Sequence, residues 1–232
     1  MLQLDQLSVT AGDFTLSADL TLPETGRIAV IGPSGAGKST LLDVLAGFRQ
    51  PTTGRLLWQG RDLGPLSPAR RPFSVLFQDN NLFPHLSLER NLALALRPNG
   101  RPPVPAERAA IAQALNQVGL AGFDMRTPGA LSGGQQSRAA LARILLQKRP
   151  VLLLDEPFAA LGPALKSEML TLVDRLATDL RALVILVTHD PQDARRFAKQ
   201  TLLVNEGHVA PPQDTEALFA DPPAALSAYL GT

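Results

Sequence analysis

Residues 32–40 read Gly32-Pro33-Ser34-Gly35-Ala36-Gly37-Lys38-Ser39-Thr40 and fit the pattern G-x-x-x-x-G-K-[ST] of a phosphate-binding loop. The three glycines allow the backbone to curl tightly, so that successive N–H groups face one hollow. We expect a helix from about Lys38, with its positive end toward that hollow. The Lys38 ammonium would then reach the β- and γ-phosphates of a nucleotide, and the Ser39 hydroxyl is a suitable hard ligand for Mg²⁺. The alternative is a glycine-rich turn with no ligand.

The sequence on either side of this loop favours the phosphate-binding interpretation. Arg27–Ile31 is a short apolar run rich in β-forming residues, and it comes just before the loop. Apolar residues then follow at helical spacing, namely Leu41, Leu42, Val44 and Leu45. Strand, loop and helix in this order are the setting that the motif requires.

Composition restricts the class of protein. The chain has 232 residues, of which 45% are hydrophobic and 19% charged, so it can bury one good core or at most two small ones. A net charge of +1, a pI of about 8.2 and the lack of a lysine or arginine block argue against nucleic acid as a partner. The absence of cysteine excludes disulfides and cysteine metal sites and fits a cytosolic setting. No signal peptide or membrane-spanning run is visible, so we expect any membrane role to come through a partner.

Periodicity predicts an α/β fold with a parallel core sheet. The alternating segments Leu2–Val9 and Leu16–Leu22 indicate antiparallel strands, and further strands are expected at Gly54–Trp58, Phe73–Phe77, Val151–Leu154 and Ala182–Val187. Helices are expected over Ser87–Leu96, Pro105–Val118, Pro163–Leu180, from near Ser132 and after Asp190, with a hairpin over Leu202–Ala210. Strands that alternate with helices favour a parallel sheet, and the segment from about 84 to 147 is predicted to be a helical insert.

Two carboxylates follow the apolar strand Val151–Leu154. At the carboxyl edge of a strand beside a phosphate loop, Asp155 can hold Mg²⁺ through water, and Glu156 can orient and deprotonate an attacking water. The alternative is a buried strand that ends in two solvated acids.

A second anion site is indicated by Leu131-Ser132-Gly133-Gly134-Gln135. Ser132 is suited to cap the following helix, and the two glycines would expose N–H groups at its positive end. This can be read simply as a loop before a capped helix, or as a site for the γ-phosphate of a nucleotide held by another subunit.

These motifs together resemble those of an ATP-binding-cassette ATPase. Gly32–Ser39, Gln78, Leu131–Gln135, Val151–Glu156 and His189 occur in the order typical of that family, and the resemblance covers essentially the whole chain. It implies a P-loop NTPase (RecA-like) core with an N-terminal antiparallel β subdomain and an inserted α-helical subdomain. The whole chain, 1–232, would be a single nucleotide-binding domain, with its core at about 1–83 and 148–232 and its insert at about 84–147.

The same resemblance implies roles for individual residues. Gly32–Thr40 would bind ATP, and in a head-to-tail homodimer Ser132–Gln135 would complete the partner subunit's site. Ser39, Asp155 and Gln78 would bind Mg²⁺, with Gln78 also contacting the attacking water. His189 would reach the γ-phosphate and act with Glu156, Gln78 and Lys38 in hydrolysis, although a lone histidine is more often structural.

Three positions depart from the family pattern. Glycine occupies position 162, where the family usually has an aspartate in a loop that crosses the dimer, which affects the expected cross-dimer contact. Phe14 is the one aromatic residue available to stack on adenine in the first strands. Gln136 stands where a basic residue is more common, and we expect little consequence.

The stretch Arg70–Leu86 resembles importer ATPases. The run Asn80-Asn81-Leu82-Phe83 within it, together with the short total length, is most similar to the ATP-binding subunit of bacterial thiamine importers. Phe83, Leu86 and Leu88 could line a groove for a short helix of a membrane partner, or could pack inside the insert. The resemblance implies two transmembrane permease subunits and, indirectly, a periplasmic solute-binding protein as partners. It places the chain peripherally at the cytoplasmic face of the inner membrane.

Other functions are compatible with parts of the sequence. An importer of iron, polyamine, sugar or molybdate would use the same cassette. A soluble cassette ATPase acting on DNA or ribosomes usually carries inserts or basic extensions that are not seen here. A P-loop kinase is disfavoured by Leu131–Gln135 and His189, and a weakly hydrolysing regulatory module is made less remote by Gly162.

Overall fold

The computed structural model describes residues 1–230, in which strands and helices alternate. The strands are β1 (Leu2–Ala11), β2 (Phe14–Leu22), β3 (Gly26–Ile31), β4 (Thr53–Trp58), β5 (Arg61–Asp62), β6 (Phe73–Leu76), β7 (Val151–Asp155), β8 (Leu183–Val187), β9 (Gln200–Asn205), β10 (His208–Val209) and β11 (Gln213–Asp214). The helices are α1 (Lys38–Ala46), α2 (Leu88–Ala93), α3 (Pro105–Gln117), α4 (Gly133–Gln147), α5 (Pro163–Asp179), α6 (Pro191–Phe197), α7 (Thr215–Ala220) and α8 (Ala224–Leu230).

The described chain divides into two compact units. The first comprises Met1–Phe73, Pro150–Asp155 and residues 181–230, and it contains every strand except most of β6. The second comprises Ser74–Arg149 and Glu156–Leu180, and it contains helices α2 to α5. Each unit is described by itself below.

Within the first unit, the predicted antiparallel strands are confirmed. β1 pairs with β2 on one side and with β4 on the other, both antiparallel. The inward-facing residues Leu2, Leu4, Leu7 and Val9 of β1 are at most 2% exposed, as the alternation predicts. The pairing of β1 with β2 and its pairing with β4 both change register around Gln6. The φ of 44° at Gln6 marks a β-bulge at this point.

The predicted parallel core is also confirmed. β3 pairs in parallel with β8 and β9, and β7 pairs in parallel with β8, which gives the strand order β9-β3-β8-β7. All five residues of β8 and the first four of β7 are buried. Unbroken apolar runs of this kind suit strands that are covered on both faces.

One predicted helix is shorter than expected. The pattern from Ser87 to Leu96 predicts a single helix, but α2 ends at Ala93 and turns follow. The amides of Ala95 and Leu96 bond the carbonyls three residues back, which tightens the chain out of the α-helix. Pro98 follows closely and disfavours helical backbone before it.

The loop between β3 and α1 is enclosed by strands from both ends of the chain. A Cβ atom at Gly32 would overlap the carbonyl oxygen of Val204 in β9. A Cβ atom at Gly37 would lie 2.8 Å from side-chain atoms of both Phe14 and Leu16 in β2. The amide of Gly207 donates to the carbonyl of Ala36 at 3.0 Å. The path of the loop is therefore determined by contacts with β9, β2 and the β9–β10 turn.

The far end of α1 is held by a buried arginine. Arg71 is fully buried and its guanidinium donates to the carbonyls of Val44 and Leu45, the latter at 2.9 Å. These carbonyls lie in the last turn of α1, at the negative end of the helix, where a cation is favourable. Burial lowers the pKa of Arg71, an effect that the charge of Asp62 opposes. The sequence pattern alone did not indicate this contact.

We expect two alanine substitutions within the loop to differ in their effect on the free energy of unfolding. Gly35 has a φ of 77° and an added Cβ would meet no atom within 4 Å, so Gly35→Ala should cost about 1–2 kcal/mol of backbone strain. Gly32→Ala should cost about 3 kcal/mol or more, because overlap with Val204 adds to the strain at a φ of 154°. Urea unfolding of both variants measures the difference, and equal losses would contradict the close approach to β9.

Candidate functional site

The loop of residues 32–37 has the backbone geometry of an anion-binding turn. Gly32, Gly35 and Gly37 all have positive φ angles, 154°, 77° and 113°, so each adopts a conformation that other residues rarely adopt. Gly37 is the N-cap of α1, and no side chain caps the first turn of that helix. The first amides of a helix lack internal acceptors and carry partial positive charge, so this end suits a phosphate group.

Lys38 folds back over the loop. Its ammonium group donates to the carbonyl of Gly32 at 2.7 Å and to the carbonyl of Pro33 at 2.8 Å. Both acceptors belong to the loop, so the Lys38 ammonium lies beside the turn that contains the exposed backbone amides. Ser39 is the next residue and is exposed.

The parallel register brings further polar groups to the edge of the sheet where this loop lies. Asp155 at the end of β7 pairs with Val187 at the end of β8, and Val187 pairs with Val30 of β3. The phosphate loop follows β3 directly, and His189 comes two residues after β8. The first unit therefore gathers the phosphate loop, Asp155 and His189 at the carboxyl ends of adjacent parallel strands, the usual place for a ligand in such sheets.

His189 stands in a short, well-bonded turn between β8 and α6. The Thr188 amide donates to the carbonyl of Val30, and the Thr188 hydroxyl donates to the carboxylate of Asp193 at 2.9 Å. Asp190 caps α6 by accepting from the amide of Gln192. The His189 side chain is exposed, so its imidazole is placed to meet a ligand instead of being buried.

Two of the three predicted metal ligands, Ser39 and Asp155, belong to the first unit and have the oxygen chemistry that suits Mg²⁺. The predicted set contains one carboxylate (Asp155), one hydroxyl (Ser39) and one amide (Gln78), and Mg²⁺ usually takes one or two carboxylates together with substrate phosphates and water. Residues 1–230 contain no group of three or more His, Cys, Asp or Glu side chains able to hold a metal by themselves.

In the second unit, Ser132 begins α4 with a capping box. The Ser132 hydroxyl accepts from the amide of Gln135 at 3.3 Å, and the Gln135 side chain accepts from the amide of Ser132 at 3.0 Å. Ser132 and Gly133 are exposed, so this helix end is accessible to a ligand. The predicted cap is confirmed, and it leaves the Ser132 hydroxyl proton able to donate elsewhere.

Gly134 has a packing role that the sequence interpretation did not include. It is buried, and a Cβ at this position would lie 2.6 Å from Cδ2 of Leu165 in α5. Glycine at 134 therefore permits close approach of α4 and α5. By contrast, a Cβ atom added at Gly133 would lie 3.6 Å from Cδ2 of Leu161, which is an ordinary van der Waals distance.

Glu156 and Gln78 also belong to the second unit. Glu156 is half-buried and has a φ of 45°, a left-handed conformation uncommon for a residue other than glycine and frequent at functional sites. Gln78 is exposed and follows β6 after one residue.

Two polar residues that hold the segment after Gln78 were not found from the sequence. Asn91 is fully buried in α2; its side chain accepts from the amide of Phe83 and donates to the carbonyls of Phe83, Leu86 and Ser87. An asparagine between Leu88 and Leu92 on an apolar helical face was the signal available in the sequence.

Arg143 of α4 holds the preceding turn. Its guanidinium donates to the carbonyl of Asn81 at 2.6 Å and to that of Asn80 at 3.2 Å. Both asparagines have left-handed φ angles, 59° at Asn80 and 51° at Asn81. Burial lowers the pKa of Arg143, an effect that the charge of Asp79 opposes.

The proposed groove residues have different environments. Phe83 is 48% exposed and Leu86 is half-buried, but Leu88 is fully buried. Leu88 therefore packs inside the unit, and the interpretation of Leu88 as a groove residue is wrong. The reason is that Leu88 begins α2 and points to the same interior as Leu92 one turn later.

Gly162 is the N-cap of α5. It has a φ of −64°, no side-chain cap is present, and a Cβ added there would meet no atom within 4 Å. The backbone and the surrounding space would thus accept an aspartate, a favoured N-cap residue. Nothing in the structure requires glycine at this position.

A search of the helices within residues 1–230 finds none that is both long and apolar enough to cross a membrane.

Comparison with known proteins gives consistent matches. A family profile described as ABC transporter matches residues 16–159. The chain is 63% identical over 231 residues to the Thiamine import ATP-binding protein ThiQ of Cereibacter sphaeroides and 52% identical over 231 residues to that of Ruegeria sp., covering 100% of each chain in both cases.

Solved structures agree with this fold. The cbiO1 protein of Clostridium perfringens, part of the ABC transporter complex cbiONQ, matches with a TM-score of 0.82 and 26% identity over 95% of this chain and 90% of that one. The dimeric ATP-binding cassette MJ0796, in a post-hydrolysis state bound to ADP and Pi, matches with a TM-score of 0.78 and 27% identity over 93% and 99%.

These matches confirm both the P-loop NTPase fold and the family resemblance predicted from the order of the motifs. The chain belongs to the ABC transporter family, in which it is an ATP-hydrolysing cassette.

Proposed function

We propose that this chain is the ATPase subunit of a bacterial importer for thiamine or thiamine phosphates. The observation that carries the proposal is the 63% identity, over the full length of both chains, to a protein named for thiamine import. The cassette need not contact the transported molecule, so an importer for another solute is the second candidate, and transport must be measured directly.

In this proposal, residues 32–40 bind the phosphates of ATP. The loop amides and the uncapped first turn of α1 donate to phosphate oxygens. Lys38 exchanges the carbonyls of Gly32 and Pro33 for the β- and γ-phosphates, a gain because a charged acceptor makes a stronger hydrogen bond than a neutral one. Phe14, whose ring would lie 2.8 Å from a Cβ added at Gly37, is the candidate for stacking on adenine.

Ser39, Asp155 and Gln78 would hold Mg²⁺. When bound, the metal neutralises charge on the β- and γ-phosphate oxygens. Support for Asp155 in this role comes from its position at the carboxyl end of β7, which pairs with β8, the neighbour of the strand that precedes the phosphate loop.

Glu156 is the proposed general base, which takes a proton from the attacking water while Gln78 orients that water. The left-handed backbone at Glu156 supports the assignment, because residues held in uncommon conformations concentrate at functional sites. His189 contacts the γ-phosphate through its exposed imidazole. Together with Lys38 these groups place the water in line and stabilise the charge that develops on the phosphoryl group.

A homodimer completes each site. Ser132, Gly133, Gly134 and Gln135 of one subunit would face the γ-phosphate bound by the other. Support comes from the exposed start of α4 and from the Ser132 hydroxyl, which can donate to phosphate while it accepts from Gln135. ATP would thus bind both subunits together, and hydrolysis would release them.

The segment after Gln78 would transmit this closure to two transmembrane permease subunits. Its fixed conformation, held by Asn91 and Arg143, and the exposed Phe83 suit it for docking. The subunit would lie at the cytoplasmic face of the inner membrane, and a periplasmic solute-binding protein would act indirectly through the permeases.

The domain proposal is a single nucleotide-binding domain, with core segments at about 1–83 and 148–232 and a helical insert at about 84–147. Residues 231–232 lie outside the described chain.

Glu156→Gln should preserve ATP binding and reduce hydrolysis about 10²- to 10⁴-fold, since only the base is lost. ATP should then trap a dimer of this variant, detectable by light scattering. Turnover of the wild type per subunit should rise with protein concentration, because each site needs both subunits.

The matched control is Glu216→Gln, an exposed glutamate in α7, which should hydrolyse ATP normally. Near-normal turnover in Glu156→Gln would remove Glu156 from the base role. Turnover independent of concentration would contradict the role of Ser132–Gln135 in trans.

Thiamine uptake tests the transport proposal. In bacteria that lack their own ATPase subunit but retain the thiamine permease and binding protein, expression of this chain should restore uptake of labelled thiamine. Lys38→Ala should not restore it, because the phosphate affinity is lost, whereas Lys199→Ala, at an exposed lysine, should. Normal ATPase activity without thiamine uptake would favour an importer of another solute.

Gly162→Asp should change the ATPase rate or its stimulation by the membrane partners. The backbone and open space at this N-cap accept the side chain, so the substitution should leave the free energy of unfolding the same or raise it by a few tenths of a kcal/mol. The test is to measure the ATPase rate of Gly162→Asp and of the wild type, each with and without the permeases. If neither the basal rate nor its stimulation changes, the glycine is neutral for function.

A further inference from the structure

The single tyrosine of the chain contacts the turn that carries His189. Tyr229 lies in α8, and its hydroxyl donates a hydrogen bond of 2.7 Å to the backbone carbonyl of His189. The two residues are 40 positions apart, so the contact is made by the fold and not by local sequence. Both belong to the first unit.

The residues on either side of His189 are held by other elements. Thr188 is tied to β3 through Val30 and to α6 through Asp193. Asp190 caps α6, and its amide also donates to the Thr188 hydroxyl at 3.1 Å. Tyr229 of α8 holds the carbonyl of the peptide that joins His189 to Asp190. A change in the backbone of His189 that redirects its side chain also moves this carbonyl, and therefore requires the bond to Tyr229 to break or shift.

α8 is anchored well enough to serve as a support. Leu226 is fully buried, and the Ser227 hydroxyl donates to the carbonyl of Pro222 at 3.1 Å. Tyr229 comes three residues after Leu226, which places it on nearly the same face of the helix. Its ring is half-buried, and a tyrosine has only two side-chain torsions to fix. The hydroxyl is therefore presented to His189 from a defined position.

We propose that Tyr229 is a positioning residue for hydrolysis, which sets the backbone of His189 so that its imidazole meets the γ-phosphate. The inference rests on the role proposed above for His189. It adds that the C-terminal helix takes part in ATP hydrolysis although it contributes no group to the nucleotide. A misplacement of about 1 Å in a catalytic group can cost a large factor in rate, so one hydrogen bond at this turn affects turnover.

Tyr229→Phe removes the hydroxyl and keeps the ring. We expect kcat for ATP to fall about two- to fivefold, the lower part of the range for one hydrogen bond, because this bond is exposed to water. KM for ATP should change less than kcat, since the phosphate loop supplies most of the affinity. Thr171→Ala is the matched control: it removes an exposed hydroxyl hydrogen bond to the carbonyl of Ser167 in α5, at a residue with no proposed role in the site, and its kcat should remain that of the wild type.

A double-mutant cycle distinguishes positioning from general support of the fold. In a His189→Ala background, where single-turnover rates are measured, Tyr229→Phe should cause no further loss, because its effect passes through the imidazole. Equal losses in both backgrounds would overturn the proposal. Full activity of His189→Ala would overturn the role of His189 itself and the inference with it, whereas a defective His189→Ala with a normal Tyr229→Phe would overturn the inference alone.

The single tyrosine also gives a readout independent of activity. Labelling the Glu156→Gln variant with 3-fluorotyrosine should give one ¹⁹F resonance, which Tyr229→Phe removes and so assigns. Adding Mg-ATP should shift this resonance when His189 engages the phosphate, and the shift should be lost in His189→Ala. A resonance that does not respond to Mg-ATP would show that the bond to His189 is not linked to the nucleotide and would contradict the proposal.

Discussion

The close approach of the phosphate loop to β9 and β2 is the constraint on which the site depends. Gly32 lies against the Val204 carbonyl with no room for a side chain, and Gly37 lies against Phe14 and Leu16. The Gly207 amide closes the arrangement by donating to Ala36. Because β2 comes before the loop and β9 comes more than 160 residues after it, the anion-binding turn forms only when both ends of the chain are in place. Its glycines serve this packing as well as the phosphate.

Parallel pairing then determines which polar groups meet the loop. Asp155, Val187 and Val30 stand in one register row across three strands, so the residues that follow each strand emerge at the same edge. All of β8, the first four residues of β7 and the last four residues of β3 are buried, so polar side chains at the carboxyl edge first occur where these strands end. The hydrophobic core of the first unit thus sets the geometry of its polar edge.

The second unit uses the fully buried Asn91 and the half-buried Arg143 to fix irregular backbone. Asn91 satisfies four backbone bonds in the segment from Phe83 to Ser87, and Arg143 ties down two left-handed asparagines. Such groups are costly to bury unless every bond is made, so they specify one conformation of the segment. A segment proposed to transmit a conformational change to membrane partners needs one fixed conformation, because a flexible loop would change shape without moving its partner.

The sequence by itself determined the phosphate loop, the strand–helix order, the capped helix at Ser132 and the family, because each of these depends on residue types at short, fixed spacings. The burial of Leu88 and the packing of Gly134 on Leu165 were decided by the tertiary structure. So were the contacts of Arg71 with α1 and of Tyr229 with His189. The physical reason is the same in each case: these features depend on atoms brought together from distant parts of the chain, and neither hydrophobic periodicity nor local motif spacing carries information about such pairs.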